Sequence, residues 1–400
     1  MSAPQVSRLR LRLSPAGEKA VRAGHPWVFS DSVRELNREG KAGEIAVIYD
    51  RSDRFLAVGF YDPESPLRVR VLQAGKPAAI DEAWWRERLV QALARREGMF
   101  GPETNGFRLI NGESDGWPGL VLDRYAETLV LKLYSGVWLP RLAEVRDLIL
   151  AALSPAAMVL RLSRNIQETA RRDFQIEEGL IHGSAGETVV FLENGLKFEA
   201  EVFHGQKTGF FLDQRDNRKR VGQLAIGADV LNLFSFSGGF SLYAARGGAK
   251  RVTDIDISQH ALAAGDRNFA LNRHIRTVSS CVREAVRADA FAWLTEGPRP
   301  QFDVVVADPP SLAKREKERV GAIAAYERLA ASALRRVRRG GVLVAASCSA
   351  HVTPDEFFSA VNRAALPWTT KTLWTSSHAP DHAVTFREAE YLKCVALKCL

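Results

Sequence analysis

The sequence has 400 residues, of which 46% are hydrophobic, and 55 Lys and Arg residues against 47 Asp and Glu residues give a net charge of +8. This length excludes a single ordinary domain and predicts two or three, with ample apolar residues for globular cores. The basic balance favours a polyanionic partner, although alone it is weak support. No apolar run reaches the length of a bilayer span, and the N-terminus lacks the apolar core of a signal peptide. We therefore expect a cytoplasmic protein that does not contact the membrane.

The four cysteines argue against a cysteine-based framework. The four are Cys281, Cys348, Cys394 and Cys399. They show no CxxC spacing, and three of them lie in predicted strands or at strand ends. This pattern predicts neither a disulfide framework nor a zinc site, and no metal is expected.

Residues 1–78 are predicted to form a small β-rich domain. Val6–Leu13 alternates apolar and polar residues, as a strand with one solvated face does. Ser14–Gly24 predicts a short helix with Ser14 as N-cap and Pro15 in its first turn. Three more strands are expected, at Glu44–Tyr49, Phe55–Tyr61 and Leu67–Leu72. The strand arginines either contact phosphates or form the solvated face of a small barrel.

Residues 79–192 predict a central α+β domain. It contains a helix, a three-stranded meander, a second helix and a further strand, in the order Ile80–Met99, Phe107–Ile110, Gly119–Tyr125, Thr128–Tyr134, Pro140–Leu153 and Met158–Leu162. The turn-forming segment 111–119 lies within the meander. Arg161–Arg172 is basic, and it either borders a nucleic-acid groove or is a solvated surface.

Residues 193–400 alternate strands and helices, which predicts a parallel sheet covered on both faces. The expected strands are Val230–Phe234, Arg251–Asp256, Thr277–Val282, Phe302–Ala307 and Gly340–Ser347. Two strands without an intervening helix close the chain, at Thr369–Trp374 and Tyr391–Cys399. They predict an antiparallel pair added to the five parallel strands.

A small turn follows the first strand of this domain. Asn232–Phe240 contains Gly238-Gly239, where a ligand can approach the backbone at a helix N-terminus. Asp256 ends the next strand, where a carboxylate can accept both hydroxyls of a ribose. Asp289 opens a later helix, and it is either an N-cap or a contact for an adenine amino group. A nicotinamide cofactor would fit the turn and Asp256, but it would leave Cys348 and the Asp308-Pro-Pro turn without a role.

Two strands end in chemically capable groups. One ends in Asp308-Pro309-Pro310, whose prolines fix the backbone, and the other in Ser347-Cys348-Ser349. Ligands bind beyond the carboxyl ends of parallel strands, so neighbouring strands would place Asp308 and Cys348 in one pocket. A rigid acidic turn beside a thiol indicates an enzyme that attacks a flat, electron-poor ring. A cysteine at a strand end is more commonly a packing residue, but the neighbours of Cys348 favour catalysis.

The reactivity of Cys348 depends on its thiolate fraction. A free thiol with a pKa of about 8.5 is only a few per cent ionised at neutral pH. Helix N-termini and the basic residues Lys314 and Arg315 are candidates to raise that fraction.

The segment Phe203–Arg218 is too polar and too rich in glycine for a core, yet it contains Phe210 and Phe211. This composition favours a loop and helix start that close over a bound ligand. The alternative is a plain linker that caps a helix.

These motifs resemble one family in combination. Gly205–Arg215, Leu231–Ser241, Asp308-Pro-Pro and Ser347-Cys-Ser look like the S-adenosylmethionine-dependent large-subunit ribosomal RNA cytosine-5 methyltransferases of the RlmI type. The resemblance spans nearly the whole chain. His25–Phe29 resembles that family's N-terminal PUA domain, an RNA-binding barrel, and Asn111–Leu120 resembles its central domain. The expected fold is therefore α/β, with a class I methyltransferase domain of Rossmann-like mixed sheet after a PUA-like barrel and an α+β domain.

The resemblance also implies residue roles. Cys348 would be the nucleophile, Asp308 would orient the base, and S-adenosylmethionine would be the cofactor. The residues implied to bind this cofactor are Phe211, Gln214, Phe234, Ser235, Ser237, Gly238, Asp256, Asp289 and Asp308. The implied partner is ribosomal RNA of the large subunit, and a homodimer is possible. A thiolate would add to carbon 6 of cytosine so that carbon 5 can take the methyl group.

One position departs from related enzymes. Some RNA cytosine methyltransferases carry a second cysteine after the Asp-Pro motif, where this chain has Ser311. This indicates a mechanism with one cysteine and leaves the base that removes the carbon 5 proton unassigned. Two alternatives remain, a ribosomal RNA guanine methyltransferase that does not use the thiol and a non-catalytic RNA-binding assembly factor.

Overall fold

A computed structural model describes residues 8–297 and 300–400. The chain divides into two compact units, one formed by Met1–Phe191 with Ala200–Phe210 and the other by Leu192–Glu199 with Phe211–Leu400. Among the described residues, no helix combines the length and the apolar character that crossing a membrane requires.

The first unit begins with a six-stranded sheet. Its elements are β1 (Leu9–Leu13), α1 (Pro15–Arg22), β2 (Trp27–Phe29), β3 (Val33–Leu36), β4 (Ile45–Tyr49), β5 (Phe55–Tyr61) and β6 (Leu67–Ala74), with strand order β2-β6-β5-β4-β1-β3. The predicted alternation is confirmed for the described part of β1, since Leu9, Leu11 and Leu13 are buried. Val6 and Ser7 lie outside the described residues. The predicted helix is also confirmed, and the Ser14 side chain accepts a hydrogen bond from the Gly17 amide.

A five-stranded sheet follows in the same unit. Its elements are α2 (Glu82–Ala94), β7 (Gly106–Asn111), β8 (Leu120–Tyr125), β9 (Thr128–Leu133), α3 (Leu142–Leu153), β10 (Ala157–Leu162), α4 (Arg164–Phe174) and β11 (Gly179–Gly183), with order β11-β10-β9-β8-β7. The predicted meander β7-β8-β9 is confirmed as antiparallel. The second predicted helix starts later than expected, because Pro140 lies in a 3₁₀ segment, Gly136–Arg141, that precedes α3.

The chain passes from one unit to the other within a two-stranded sheet, β12 (Thr188–Glu193) and β13 (Leu196–Glu201). The second unit then contains α5 (Arg215–Gln223), β14 (Asp229–Leu233), α6 (Gly239–Arg246), β15 (Arg251–Asp256), α7 (Gln259–Leu271), α8 (Arg276–Ser280), β16 (Val282–Arg287), α9 (Ala290–Glu296), β17 (Phe302–Ala307), α10 (Arg319–Leu334), β18 (Val337–Ser347), α11 (Pro354–Ala365), β19 (Thr370–Ser376) and β20 (Lys393–Cys399). Its seven strands lie in the order β16-β15-β14-β17-β18-β20-β19. The first five are parallel, and β20 is antiparallel to both neighbours, which confirms the predicted terminal pair.

The third predicted strand of this unit was wrong. Thr277–Val282 is mainly the short helix α8, and the strand is β16, immediately after it. The Ser280 hydroxyl donates to the Arg276 carbonyl at 2.8 Å, a local bond that satisfies a helical carbonyl. Because β16 is an exposed edge strand with charged residues, it lacks the apolar run by which the interior strands were recognised.

Candidate active site at the carboxyl edge of the seven-stranded sheet

The functional side chains predicted on four strands meet at one edge of the sheet. Leu233 of β14 pairs with Ile255 of β15 on one side and with Ala307 of β17 on the other. Ala307 in turn pairs with Ala345 of β18, so β17 and β18 are neighbours, the condition under which Asp308 and Cys348 were expected to lie together. The groups that follow these strand ends therefore lie along a single edge, where open α/β sheets bind ligands.

The turn after β14 has an unusual backbone. Phe234, Phe236 and Gly238 all have positive φ angles, 58°, 47° and 73°. Bulky residues rarely adopt this left-handed region, and each such residue costs of order 1–3 kcal/mol, so the surrounding structure must impose it. Two bonds do so, since the Phe236 amide donates to the Asp256 carboxylate at 2.8 Å and the Ser235 amide donates to the Ile255 carbonyl at 3.1 Å.

Two hydroxyls of this turn are orphaned within the described structure. Ser235 and Ser237 are 5% and 4% exposed, and their Oγ atoms have no hydrogen-bond partner there. An unsatisfied buried polar group costs about 1–3 kcal/mol, so such groups call for an explanation. A polar ligand seated against the turn would satisfy both hydroxyls, which fits a small-molecule cofactor with polar ends.

Asp256 and Asp289 occupy different settings. The Asp256 carboxylate accepts the amides of Phe236 and Ser258 at 2.8 and 2.9 Å, and each of its oxygens keeps a lone pair for a further donor. Asp289 is exposed and accepts the Ala292 amide at 2.9 Å, so it forms the N-cap of α9. Its predicted contact with an adenine stays a prediction, as does the ribose role of Asp256.

The segment Phe203–Arg218, which was predicted to close over a ligand, is divided between the two units. Its residues 211–218 belong to the second unit. Within that unit, the Phe211 ring meets the Phe236 ring edge-on, with centroids 5.1 Å apart. Gln214 Nε2 donates to Asp308 Oδ2 at 2.9 Å, which joins the segment to the end of β17. Asn217 Nδ2 donates to Gln214 Oε1 at 2.6 Å and so fixes the orientation of the amide. The structure thus brings Phe211 and Gln214 together with the strand-end groups.

The Cys348 thiol lies beside the Asp-Pro-Pro turn. The residue is partly buried, and its Sγ is 3.9 Å from the Pro309 carbonyl oxygen. The neighbouring Ser349 is fully buried, and its Oγ accepts the amides of Leu312 and Ala313 at 3.0 and 3.2 Å. The two turns are therefore tied to each other, and the thiol is held in a fixed position near Asp308.

Ser311, which stands where some related enzymes have a cysteine, has structural contacts. Its hydroxyl donates to the Ala313 carbonyl at 3.1 Å and lies 3.2 Å from Ser349 Oγ. Tyr326 Oη is 2.8 Å from the same Ser349 oxygen. This hydroxyl cluster stabilises the loop that follows Asp308.

A buried lysine, missed by the sequence interpretation, completes the site. Lys393 at the start of β20 is 1% exposed, and its Nζ donates to the carbonyls of Ser349 and Tyr391 at 2.7 and 3.0 Å. Burial lowers the pKa of Lys393 to about 8, while the electrostatic interaction with Cys348 acts in the opposite direction. The strand period offered a signal, because alternation places Lys393 on the same face as the apolar Val395 and Leu397.

The basic residues expected to activate the thiol have other surroundings. The Lys314 side chain is exposed, and Arg315 Nε donates to Glu318 at 3.0 Å. The lysine that interacts electrostatically with Cys348 is instead on β20, more than 40 residues along the chain.

The other cysteines have features of packing residues. Burial raises the pKa of Cys281 to about 11 and also raises the pKa values of Cys394 and Cys399. A thiol held in its neutral form is a poor nucleophile.

Comparisons with known proteins agree with this architecture. The family model described as S-adenosylmethionine-dependent methyltransferase matches residues 108–381, and the PUA-like domain model matches residues 11–74. A ribosomal RNA large subunit methyltransferase of Deinococcus radiodurans is 57% identical over 100% of both chains. Ribosomal RNA large subunit methyltransferase I of Alteromonas mediterranea is 34% identical over 95% of this chain and 96% of its own.

Solved structures share the fold. A methyltransferase crystallised with SAH superimposes with a TM-score of 0.85 at 22% identity, over 97% of this chain and 99% of that one. The predicted fold class is therefore confirmed, with a PUA-like domain before a class I methyltransferase sheet. The chain belongs to the family of S-adenosylmethionine-dependent methyltransferases of the RlmI type, which carry an N-terminal PUA-like domain and use S-adenosylmethionine as cofactor.

Proposed function

We propose that this protein methylates carbon 5 of a cytosine in large-subunit ribosomal RNA through a covalent adduct with Cys348. The observation that carries the proposal is the placement of the Cys348 thiol next to the Asp308-Pro-Pro turn, with Sγ 3.9 Å from the Pro309 carbonyl oxygen. The names of the relatives support the RNA substrate, and the site supports the cytosine chemistry.

The chemistry of cytosine explains why a thiol is needed. Carbon 5 is a poor nucleophile in the free base. When the Cys348 thiolate forms a bond to carbon 6, the electron pair of the 5,6 double bond becomes available at carbon 5. S-adenosylmethionine supplies an electrophilic methyl group on a sulfonium centre. Loss of the carbon 5 proton and expulsion of the Cys348 thiolate then restore the double bond and release the methylated base.

Asp308 is suited to orient the base. Its carboxylate accepts a hydrogen bond from Gln214, and because a carboxylate can accept several hydrogen bonds at once, it would also accept one from the exocyclic amino group of cytosine. The Pro309-Pro310 sequence restricts the backbone next to it. A fixed acceptor beside the thiol would place carbon 6 within reach of the sulfur, and such positioning is a major source of rate enhancement.

The turn after β14 is the proposed place of the cofactor. Ser235 and Ser237 would donate to its polar groups, Asp256 would accept from its ribose, and Phe211 would cover it, with Phe234, Gly238 and Asp289 in the same surroundings. The target base must leave its stack, which costs a few kcal/mol and least in unpaired RNA. The PUA-like domain and the net charge of +8 favour phosphate contacts with that RNA.

The test is methyl transfer to ribosomal RNA that lacks modifications, with radiolabelled S-adenosylmethionine and analysis of the digested nucleosides. Cys348→Ala is compared with Cys281→Ser, a matched change of a cysteine outside the site. We expect label in 5-methylcytosine with the wild type and with Cys281→Ser, and none with Cys348→Ala. Label that survives Cys348→Ala would reject Cys348 as the nucleophile, and label in guanine would favour a guanine methyltransferase. Absence of both label and cofactor binding would favour the non-catalytic assembly factor.

A further inference from the structure

We propose that Lys393 is a positioning residue for the nucleophile, whose buried ammonium group stabilises Cys348 as a thiolate and fixes the turn that carries it. The catalytic consequence of this inference rests on the proposed function, but the state of the thiol can be measured without RNA or cofactor.

The pairing of β18 with β20 brings the lysine to the turn. Lys393 pairs with Ser347 in the antiparallel register of β18 and β20, so its backbone is directly opposite the residue before Cys348. Its Nζ then reaches past the strand end and donates to the carbonyl of Ser349, the residue after Cys348, at 2.7 Å. The ammonium group therefore bonds to the turn that holds the sulfur.

The surroundings leave the charge of the lysine poorly compensated. Both described acceptors, the carbonyls of Ser349 and Tyr391, are neutral, and the side chain is 1% exposed. Two carboxylates interact with Lys393 electrostatically, those of Glu390 and Glu356. Glu356 is itself ion-paired with Arg319. A buried charge without a bonded counter-charge is costly, so it is expected where a negative group forms during function.

The thiolate of Cys348 is that negative group. Cys348 is the first among the groups that raise the pKa of Lys393 electrostatically, against the burial that lowers it to about 8. The interaction is reciprocal, because an ammonium that is stabilised by a nearby thiolate stabilises that thiolate by the same amount. On ionisation the S–H bond breaks, the proton passes to solvent, and the sulfur keeps the electron pair beside the lysine.

A second lysine on the same strand provides a matched control. Lys398 is exposed on the opposite face of β20, so its ammonium group is hydrated and screened. Lys393→Met removes the charge and keeps a side chain of similar length, Lys393→Arg keeps a charge, and Lys398→Met removes a charge from the surface.

The experiment measures alkylation of Cys348 by iodoacetamide as a function of pH in the full chain, with peptide mass spectrometry to separate the cysteines. Cys281 is an internal reference, because burial raises its pKa to about 11. In the wild type we expect Cys348 to react at least about 100-fold faster than Cys281 at pH 7. Lys393→Met should lower the rate of Cys348 about tenfold at pH 7 and move the midpoint of its profile up by about one pH unit. Lys398→Met should change neither quantity, and Lys393→Arg should retain most of the wild-type reactivity.

An unchanged Cys348 profile in folded Lys393→Met would overturn the inference, as would equal effects of Lys393→Met and Lys398→Met. Circular dichroism establishes that each variant is folded. If Lys393→Met does not fold, the pH profile of Cys348 alkylation in the wild type tests the inference instead. A midpoint at or above the pKa of a free thiol, about 8.5, would reject the inference. Because the assay contains neither RNA nor cofactor, a chain that shows the lysine effect but no cytosine methylation would refute only the proposed function.

Discussion

At the residue scale, Asp308 is held in place by a hydrogen-bonded chain of side chains. The Ser376 hydroxyl donates to Asn217 at 2.6 Å, Asn217 donates to Gln214 at 2.6 Å, and Gln214 donates to Asp308 at 2.9 Å. We predict that Gln214→Leu lowers the single-turnover rate of methyl transfer about tenfold or more, because Asp308 loses a side-chain donor that helps to orient it. The measurement is rapid-quench transfer at saturating RNA and cofactor. Gln223→Leu, an exposed change at the end of α5, the helix that begins directly after Gln214, should leave the rate unaltered, and equal rates in both variants would contradict the positioning role.

The depressed pKa of Lys393 also predicts a pH dependence of stability. The pKa is about 8 in the folded chain against an ordinary 10.5, so the unfolded chain binds more protons between these values. Stability from this residue therefore rises as pH increases from about 8 to 10.5. We expect the free energy of unfolding, relative to Lys393→Met, to increase by about 1–3 kcal/mol over that window.

The measurement for that prediction is urea unfolding at pH 7.5 and pH 9.5 in a Cys348→Ser background, which removes the thiolate from the titration. Lys398→Met serves as the comparison for an exposed lysine. If the difference in the free energy of unfolding between wild type and Lys393→Met stays constant or falls as the pH rises, burial does not disfavour the charged form of this lysine.

The residues of the site differ in how far the sequence reveals them. Asp308 and Cys348 could be predicted, because each directly follows a strongly apolar strand whose end defines its position. Lys393 could not be assigned, since its contact with the Cys348 turn depends on the register of an antiparallel pair between distant segments. Lys314 and Arg315 are close to the site in sequence, but their side chains are exposed or paired with Glu318.

At the element scale, the turn after β14 combines a strained backbone with orphaned hydroxyls, which indicates that it is built for a ligand. We predict that Ser237→Ala weakens binding of S-adenosylhomocysteine about five- to tenfold, equivalent to about 1–1.4 kcal/mol, because one donor to the ligand is lost. The free energy of unfolding of the unliganded chain should stay constant or rise by up to about 1 kcal/mol, because an unsatisfied buried group is removed.

Ser258→Ala is the contrasting variant for this prediction. The Ser258 side chain caps α7 by accepting the Ala261 amide at 3.2 Å, so its loss should cost about 0.5–2 kcal/mol of stability and leave affinity nearly unchanged. Titration calorimetry and urea unfolding measure the two quantities. A Ser237→Ala chain that is destabilised yet binds as tightly as the wild type would show that the turn hydroxyls serve the fold.

Elements with strong local signals were predictable, and those defined by their partners were not. The helix that follows the cap residue Ser14 and the strand Arg251–Asp256 were predictable, because a cap and apolar periodicity mark them. Strand β16 was missed because an edge strand with charged side chains depends on pairing with β15. The strands β2 and β3, of three and four residues, are too short to show a period.

At the scale of the whole molecule, residues of the N-terminal sheet pack into the apolar core of the central region within the first unit. Phe60 of β5 stacks on Trp85 of α2 with ring centroids 5.7 Å apart, and Trp27 Nε1 donates to Glu113 at 2.8 Å. We predict that a chain starting at residue 79 loses cooperative unfolding and binds hydrophobic dyes, because the partners of these buried groups are removed. Calorimetry and dye fluorescence measure this outcome. A monomeric fragment 79–400 with a sharp transition would instead support an independent boundary at residue 78.

The domain organisation could therefore be predicted only in part. The boundary predicted at residue 78 lies between the six-stranded and the five-stranded sheet, whereas the boundary predicted at residue 192 lies within β12, and the three-domain division remains a proposal. Sequence patterns do not show that Phe60 and Leu72 belong to the same apolar cluster as Trp117, because that depends on packing between sheets. Nor do they show that residues 200–210 rejoin the first unit after the chain has entered the second.

The covalent adduct between Cys348 and cytosine is the central claim, and trapping it is the most direct test. RNA that carries 5-fluorocytosine in place of cytosine can accept the thiolate and the methyl group, but the fluorine on carbon 5 cannot leave as a proton does, so the adduct should persist. We predict a protein–RNA band on denaturing gels that requires S-adenosylmethionine, forms with Cys281→Ser and is absent with Cys348→Ala. Methyl transfer to natural RNA with no such band, or a band whose cross-linked peptide lacks Cys348, would contradict the account.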